Sequence, residues 1–485
     1  MKKNILLFQP RIGDMDMFRD KPTPPMGLLC ASALINEKFE IRLLDQRINR
    51  NWRKALSSLI DEHTIAIGIS AMTGGMIKNA LKATGEIRNL TKAPLVWGGV
   101  HPSLLPEQTV LNGLVDYVVQ REGEEAFAEL VEKISISKQA DNIPGVWSKS
   151  NAQIKERPKR ALIDMNKLPA VPYHLVDMEK YIQTYRGKRM FFYQSSRGCP
   201  CRCSYCYNKV FNFGLLRSLS LERILSDLKQ LKEKYKFSLV YFLDDNFFID
   251  KNRALNILKG LKELGLGCVL QGVDIESLAR LSDEDLDFLE HCGVERIAIG
   301  VESGTNRIRN QILKKEGSVE LAKEQLMRFK NRKIIVLFSL MIGLPSETVA
   351  EIDETVKFGL DILRMGPNFR IPQFYIFSPY PGTLLFENLE NEGVSFPSKL
   401  IDWGKYEWDY SHMYEKSPAT KDFLERVGFL SKFLDAKFGD YGSGGKVLKI
   451  LYNFYRPIAW FRLSKGLMKP LPEKFFYEML KKTFK

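Results

Sequence analysis

The sequence predicts an α/β protein with an N-terminal open parallel sheet, a second strand–helix series and a mostly helical C-terminal region. Three observations lead there. Short β-rich runs alternate with helix-periodic stretches over residues 1–135 and again over 186–385. Glycines follow the N-terminal strands. Beyond residue 385 the alternation stops, and Trp, Tyr and basic residues concentrate.

The whole chain sets the limits. Its 485 residues predict two or three domains. With 45% hydrophobic and 27% charged residues it reads as globular, not disordered. Seven cysteines, an odd number with four inside one octet, argue against a disulfide framework and for a reducing, cytoplasmic setting. "MKKNILLFQP" has too short an apolar run for a signal peptide and reads as a first buried strand. No window is long and apolar enough to predict a spanning helix.

In the first domain, 1–135, the strands are "NILLFQP", "EIRLLDQR", "TIAIGISAM", "APLVWGGV" and "VDYVVQ", with helical stretches such as "MIKNALKATGEIRNL" between them. Gly74 and Gly75 follow the third strand, and Gly98 and Gly99 follow the fourth. Ligands of open α/β sheets sit beyond the carboxyl ends of strands, where glycine lets a backbone approach closely. Either these glycines line a cofactor or they only make tight turns. Residues 136–185, with Pro144, Pro158, Pro169, Pro172 and "KERPKR", read as a linker.

The second series, 186–385, offers six strands: "MFFYQSS", "LVYFLDD", "GCVLQGV", "RIAIGVE", "VLFSLMIG" and "QFYIFSP". Six βα units predict an incomplete barrel or a second open sheet. "SLERILSDLKQLKEKY" is apolar at helical spacing, with Ser220 as its expected N-cap. Residues 386–485 end in a basic, aromatic tail; 446–485 carry ten Lys or Arg against two Glu, within a net charge of +14. Such a tail fits an anionic partner. It is either a helix lying in a membrane interface or a cap with a solvated basic face.

The chemistry concentrates in "RGCPCRCSYCYN", 197–208. Cys199, Cys203 and Cys206 stand at C-x3-C-x2-C directly after a strand and a glycine. Clustered thiolates suit zinc or an iron–sulfur cluster. Zinc usually takes four ligands in paired C-x2-C units, and no second pair is present. Three thiolates would leave one iron of a [4Fe–4S] cube open to a substrate or cofactor.

These residues resemble the radical S-adenosylmethionine (SAM) enzymes, whose hallmark is this motif at the end of the first barrel strand. The resemblance extends over about 380 residues to the subgroup with an N-terminal cobalamin-binding domain. It rests on "GGVHPSLLPE", "REGEEAF", "RGCPCRCSYC", "DDNFFID", "GVESG" and "MIGLPSET". It implies a Rossmann-like (flavodoxin-like) cobalamin-binding domain, a partial (β/α)6 radical SAM barrel and a helical C-terminal region. Methylthiolating relatives carry three further N-terminal cysteines; this chain has only Cys30 there. The Asp-x-His-x-x-Gly loop of many cobalamin proteins is missing, and "LDQRINR" stands near its place. Cys201 departs from the aromatic or bulky residue usual at its position and is expected to pack under the loop.

The resemblance assigns the cluster to Cys199, Cys203 and Cys206. It places SAM near Asp244, Asp245, Gln271, Glu302, Ser303 and Gly343, and cobalamin near Gly74, Gly75, Gly98, Gly99 and His101. For each polar residue a local alternative stands: a helix cap, a satisfied backbone neighbour or, for His101, a surface loop histidine. No catalytic side chain is singled out. The implied activity is reductive cleavage of SAM to a 5′-deoxyadenosyl radical, leading to cobalamin-dependent C-methylation of an unactivated carbon. Cyclisation, ring rearrangement or oxidation with the same cofactors is the alternative, and a non-catalytic corrinoid- or SAM-sensing module is a further one. Expected partners are a small-molecule substrate, lipid-like or a natural-product intermediate, and a flavodoxin- or ferredoxin-type reductant. The tail adds peripheral association with the inner face of a membrane. Nucleic acid is not expected.

Overall fold

The computed structural model describes residues 2–13, 16, 21–138, 140, 142–152, 160–406, 419–435, 446–467 and 471–474. Most of "KERPKR" and the latter half of "WGKYEWDY" lie outside them. The chain divides into two units. One comprises Met1–Cys201, Tyr205–Ser238 and Tyr380–Glu407; the other comprises Arg202–Ser204, Leu239–Pro379 and Trp408–Lys485.

The first unit is built on β1 (Asn4–Gln9), β2 (Glu40–Asp45), β3 (Thr64–Ser70), β4 (Leu95–Gly98), β5 (Tyr117–Val119) and β6 (Val146–Ser148), in spatial order 2-1-3-4-5-6. The five strands expected from the sequence are all present and parallel. β6 lies in the stretch read as a linker and pairs antiparallel with β5. Its three residues are too few for a period-two pattern to reveal.

Every residue of β1 is buried. Leu6 and Phe8 join one apolar layer with Ile67, Ile69 and Trp97, while Ile5 and Leu7 join another with Ala66, Val96 and Phe127. Alternate side chains of a strand point to opposite faces, so a fully apolar strand needs cover on both sides. The helices Gly75–Arg88 and Glu124–Ser135 contribute to the two layers respectively. The order 2-1-3 reverses direction at β1, the place where doubly wound sheets open a ligand crevice.

Also in this unit are β7 (Gln183–Tyr185) and β8 (Lys188–Tyr193), an antiparallel pair, and β9 (Ser196–Arg197) paired with β10 (Arg217–Ser218). The helix Leu221–Tyr235 follows, and the Ser220 side chain accepts from the Arg223 amide as its N-cap. The helix Leu384–Asn391 and the 3-10 turn Leu400–Lys405 come from the C-terminal region.

The second unit holds β11 (Leu239–Phe242), β12 (Gly267–Asp274), β13 (Val294–Glu302), β14 (Ile335–Ile342), β15 (Phe369–Arg370) and β16 (Phe374–Ile376). β11 to β14 pair in sequence order, and both β15 and β16 pair with β14, all parallel. Side-chain caps start the connecting helices: Asp250, Ser282, Ser318 and Thr348 each accept from a backbone amide three residues on. Ser282 and Thr348 complete capping boxes with Asp285 and Glu351. Asp244 and Gly343 follow the carboxyl ends of β11 and β14, Glu302 is the last residue of β13, and Gln271 lies within β12.

Candidate active site

The cysteine loop is fixed by its backbone. Gly198 has φ +92, and a Cβ there would lie 1.9 Å from the Leu215 carbonyl oxygen. No side chain fits. The Cys199 amide donates to Asn208 Oδ1 at 3.1 Å. Within the second unit, the Ser204 amide donates to the Leu313 carbonyl at 2.8 Å and its hydroxyl to Ile312. Cys199, Cys201, Cys203 and Cys206 are all half-buried thiols, whereas Cys30, Cys268 and Cys292 are buried. Cys201 is thus no more covered than its neighbours.

Among the described residues, no three His, Cys, Asp or Glu side chains are already gathered as a metal site. The donor set nevertheless fits an iron–sulfur cluster: half-buried soft thiols at three positions within eight residues. Binding such a group is coupled to the final ordering of its ligands.

Arg197 precedes this loop and carries a buried ion network. Its Nη1 lies 2.8 Å from Glu122 Oε1 and its Nη2 lies 2.7 Å from Glu124 Oε1. Arg217, opposite Arg197 in the β9–β10 ladder, donates to Glu122 at 2.8 Å and to the Asn212 amide oxygen at 2.7 Å. The Ile163 amide donates to Glu122 Oε2 at 3.0 Å. Burial alone would raise the Glu122 carboxyl; Arg197, Ile163 and Arg217 together hold it below its ordinary value. Cys30 also meets Arg197, but burial pushes its thiol up to about 11. The segment "REGEEAF" therefore anchors the strand that leads into the cysteines.

Two of the N-terminal glycines stand where no side chain fits. Gly74 has φ +108, and a Cβ there would stand 2.7 Å from the Tyr406 carbonyl; its amide donates to the Trp403 carbonyl at 3.2 Å. Gly99 has φ +99, and a Cβ would stand 2.7 Å from the Ala71 carbonyl. Gly75 opens the helix Gly75–Arg88, and Gly98 ends β4. His101 is fully buried, not a surface loop histidine. Its Nδ1 is 2.9 Å from the Thr73 hydroxyl, its Nε2 is buried without a hydrogen-bond partner, and its ring centroid lies 5.7 Å from that of Trp403. Burial lowers its pKa to about 3, so the imidazole is neutral. A neutral imidazole with an orphaned nitrogen is chemically suited to a polar group of a bound cofactor. Where "LDQRINR" stands, Asp45 and Arg47 form a buried ion pair at 2.6 Å and the Tyr181 hydroxyl donates to Asp45.

The sequence gives no sign that Trp403, some 300 residues away, closes over Gly74. Its indole donates to Gln108 Oε1 at 2.7 Å.

In the second unit the polar candidates differ in kind. Asp244 is buried, and its Oδ2 lies 3.5 Å from Arg253 Nη2. Asp245 is exposed, but its carbonyl and that of Asp244 crowd Gly272, where a Cβ would come within 2.2 Å of the former. Gln271 is exposed beside a register shift in β12 and accepts from the Tyr241 hydroxyl. Glu302 is buried with φ +74, at a register shift in β13, and accepts from the Ser339 hydroxyl at 3.2 Å. A left-handed backbone at a buried glutamate is strained, and such strain concentrates at ligand sites. Ser303 turns instead toward Thr305 and Thr355, at 3.3 and 3.2 Å, and serves the helix packing behind it. Gly343 has φ +75, and a Cβ there would press on Leu424.

The sequence did not single out Glu347. Its Oε2 accepts from the Leu344 amide at 3.0 Å, its Oε1 is buried without a partner, and burial pushes its carboxyl up to about 7. "MIGLPSET" contained it, but nothing in the spacing marks a buried carboxyl.

Comparison with known proteins gives two family matches. Residues 193–359 match the radical SAM superfamily and residues 19–131 the B12 binding domain. An uncharacterized methyltransferase of Pyrococcus horikoshii is 28% identical over 387 residues, covering 79% of this chain and 81% of that one. Anaerobic magnesium-protoporphyrin IX monomethyl ester cyclase of Rubrivivax gelatinosus is 22% identical, covering 74% of this chain and 64% of that one. The structure of the radical SAM methyltransferase TsrM from Kitasatospora setae, with cobalamin and a [4Fe–4S] cluster bound, aligns with a TM-score of 0.63 at 18% identity. It covers 81% of this chain and 75% of that one. The fold is an N-terminal B12-binding domain, a radical SAM half-barrel and helical regions, as the sequence predicted.

Proposed function

From its place among the radical SAM enzymes with a B12-binding domain, the family to which this chain belongs, we propose that it methylates an unactivated carbon of a small-molecule substrate. The family's cofactors are a [4Fe–4S] cluster, SAM and cobalamin. When bound, these supply the electron, the radical and the methyl group, and the protein supplies placement and exclusion of water.

Cys199, Cys203 and Cys206 would hold the cluster, with Gly198 and Asn208 fixing the backbone where the first thiol leaves it. Glu302 and Asp244 would accept hydrogen bonds from SAM, as buried carboxylates at the carboxyl ends of β13 and β11, the strands either side of β12. Gly343 would let the chain lie against the adenine. Gly74, Gly75, Gly98 and Gly99 would face the corrinoid, and His101 would serve its polar groups through the neutral imidazole. Asp245 and Gln271 are exposed contributors, and Ser303 supports the Glu302 turn. A flavodoxin- or ferredoxin-type protein would deliver the electron.

The observation that carries this reading is Glu302: a buried carboxylate in a left-handed conformation one βα unit after the bulge at Gly272. Packing alone gives no reason to keep it. Methyl transfer is favoured by the methyltransferase relatives. Cyclisation, ring rearrangement or oxidation without methyl transfer is the second reading, favoured by the cyclase relatives.

The test counts SAM products in anaerobic turnover with candidate substrates. Methylation predicts S-adenosylhomocysteine together with 5′-deoxyadenosine. 5′-Deoxyadenosine with product but no S-adenosylhomocysteine would overturn methyl transfer in favour of the second reading.

A further inference from the structure

The helix Lys446–Ser464 presents two unlike faces. One is fixed to the second unit. Tyr452, Ala459 and Leu463 are buried, the Tyr452 hydroxyl donates to the Lys432 carbonyl at 2.7 Å, and Arg456 donates to the Leu434 carbonyl. The other face carries Phe454, Ile458 and Phe461, spaced by four and three residues and 78%, 41% and 57% exposed. Positions at that spacing form one stripe. Two Phe rings left this open on a fixed helix are a surface with an occupant to account for.

Charge selects the occupant. From 446 to 464 the helix sequence carries four Lys or Arg and no Asp or Glu; Arg456 turns to the Leu434 carbonyl and Arg462 pairs with Glu473 at 3.3 Å. Lys465 is exposed one turn beyond Phe461. A second copy docked through this stripe by two-fold symmetry would bring both Lys465 ammonium groups to the apolar contact. An anionic phospholipid surface satisfies both halves of the pattern, the apolar stripe entering the acyl boundary and the cations meeting headgroups. No helix among the described residues is long and apolar enough to cross a membrane, so the contact is interfacial.

We propose that the Phe454–Ile458–Phe461 face docks this protein on an anionic lipid bilayer. This is independent of the reaction catalysed, and its test does not require turnover.

The full chain is sedimented with phosphatidylglycerol vesicles and, in parallel, with phosphatidylcholine vesicles. Binding to the first, weakened by salt, and little binding to the second is expected. Phe454→Ser and Phe461→Ser should each lower the partition coefficient about tenfold. Lys465→Gln should lower it about fivefold. All three side chains are exposed, so melting temperatures should match the wild type. The indole added by Phe454→Trp should be quenched by brominated phosphatidylglycerol, which reads the contact without removing the stripe. A wild-type chain that stays in the supernatant, or binds both lipids equally, overturns the proposal. So does a dimer in light scattering that Phe454→Ser converts to monomer.

Discussion

Arg197 and Glu122, 75 residues apart in the chain, meet at 2.8 Å in a largely buried network beside the cysteine loop. Arg217 shares the same carboxylate, so one glutamate offsets parts of two guanidinium charges. The pairing ties the B12-binding domain's "REGEEAF" segment to the residue two positions before Cys199. Burying two arginines is costly unless a carboxylate compensates them.

Glu122→Ala leaves both arginines without their shared partner and should destabilise the protein by about 3 kcal/mol. Equilibrium denaturation in urea would measure it. Because Glu122 is held below its ordinary value, its contribution is present above that value and is lost as pH falls below it. The variant should therefore show a weaker acid dependence of stability than the wild type. Iron retained per chain should fall as well, since the strand entering the cysteine loop loses its anchor.

Glu302→Gly separates ligand binding from packing. Glycine relieves the left-handed backbone, a strain of about 1 kcal/mol, so the melting temperature should hold or rise. SAM affinity, read by equilibrium dialysis on the reconstituted protein, should fall at least about tenfold with the charged acceptor removed. Unchanged affinity would return Glu302 to a structural role.

Glu347 predicts a dependence of the opposite sign. Its carboxyl is pushed up to about 7 by burial, above its unfolded value. The stability it contributes is complete below the unfolded value and is lost as pH rises through about 7. Glu347→Gln removes that titration. The melting temperature of the variant should exceed that of the wild type by a few degrees at about pH 8 and converge with it at about pH 5.

Much of this was legible in the sequence because it is local. Strand runs, the Ser220 cap, the paired glycines and the cysteine spacing each lie within a few residues of one another. The unread features are long-range. Trp403 reaches Gly74 and Glu122 reaches Arg197 only after folding, and no periodicity encodes either. Ser303 stands beside Glu302 in the sequence, yet their environments diverge at a single positive φ. β6 was too short to signal itself. Part of the C-terminal region, read as one helical block, groups with the first unit through residues 380–407.

One chain should load both an iron–sulfur cluster and a corrinoid. Anaerobic purification and reconstitution with iron, sulfide and hydroxocobalamin, followed by metal analysis of the desalted protein, tests it most directly. About four iron atoms and about one cobalt per chain are expected, with iron lost in Cys199→Ala, Cys203→Ala and Cys206→Ala and kept in Cys201→Ala. Iron without cobalt, or iron that depends on Cys201 and not on Cys203, would contradict it.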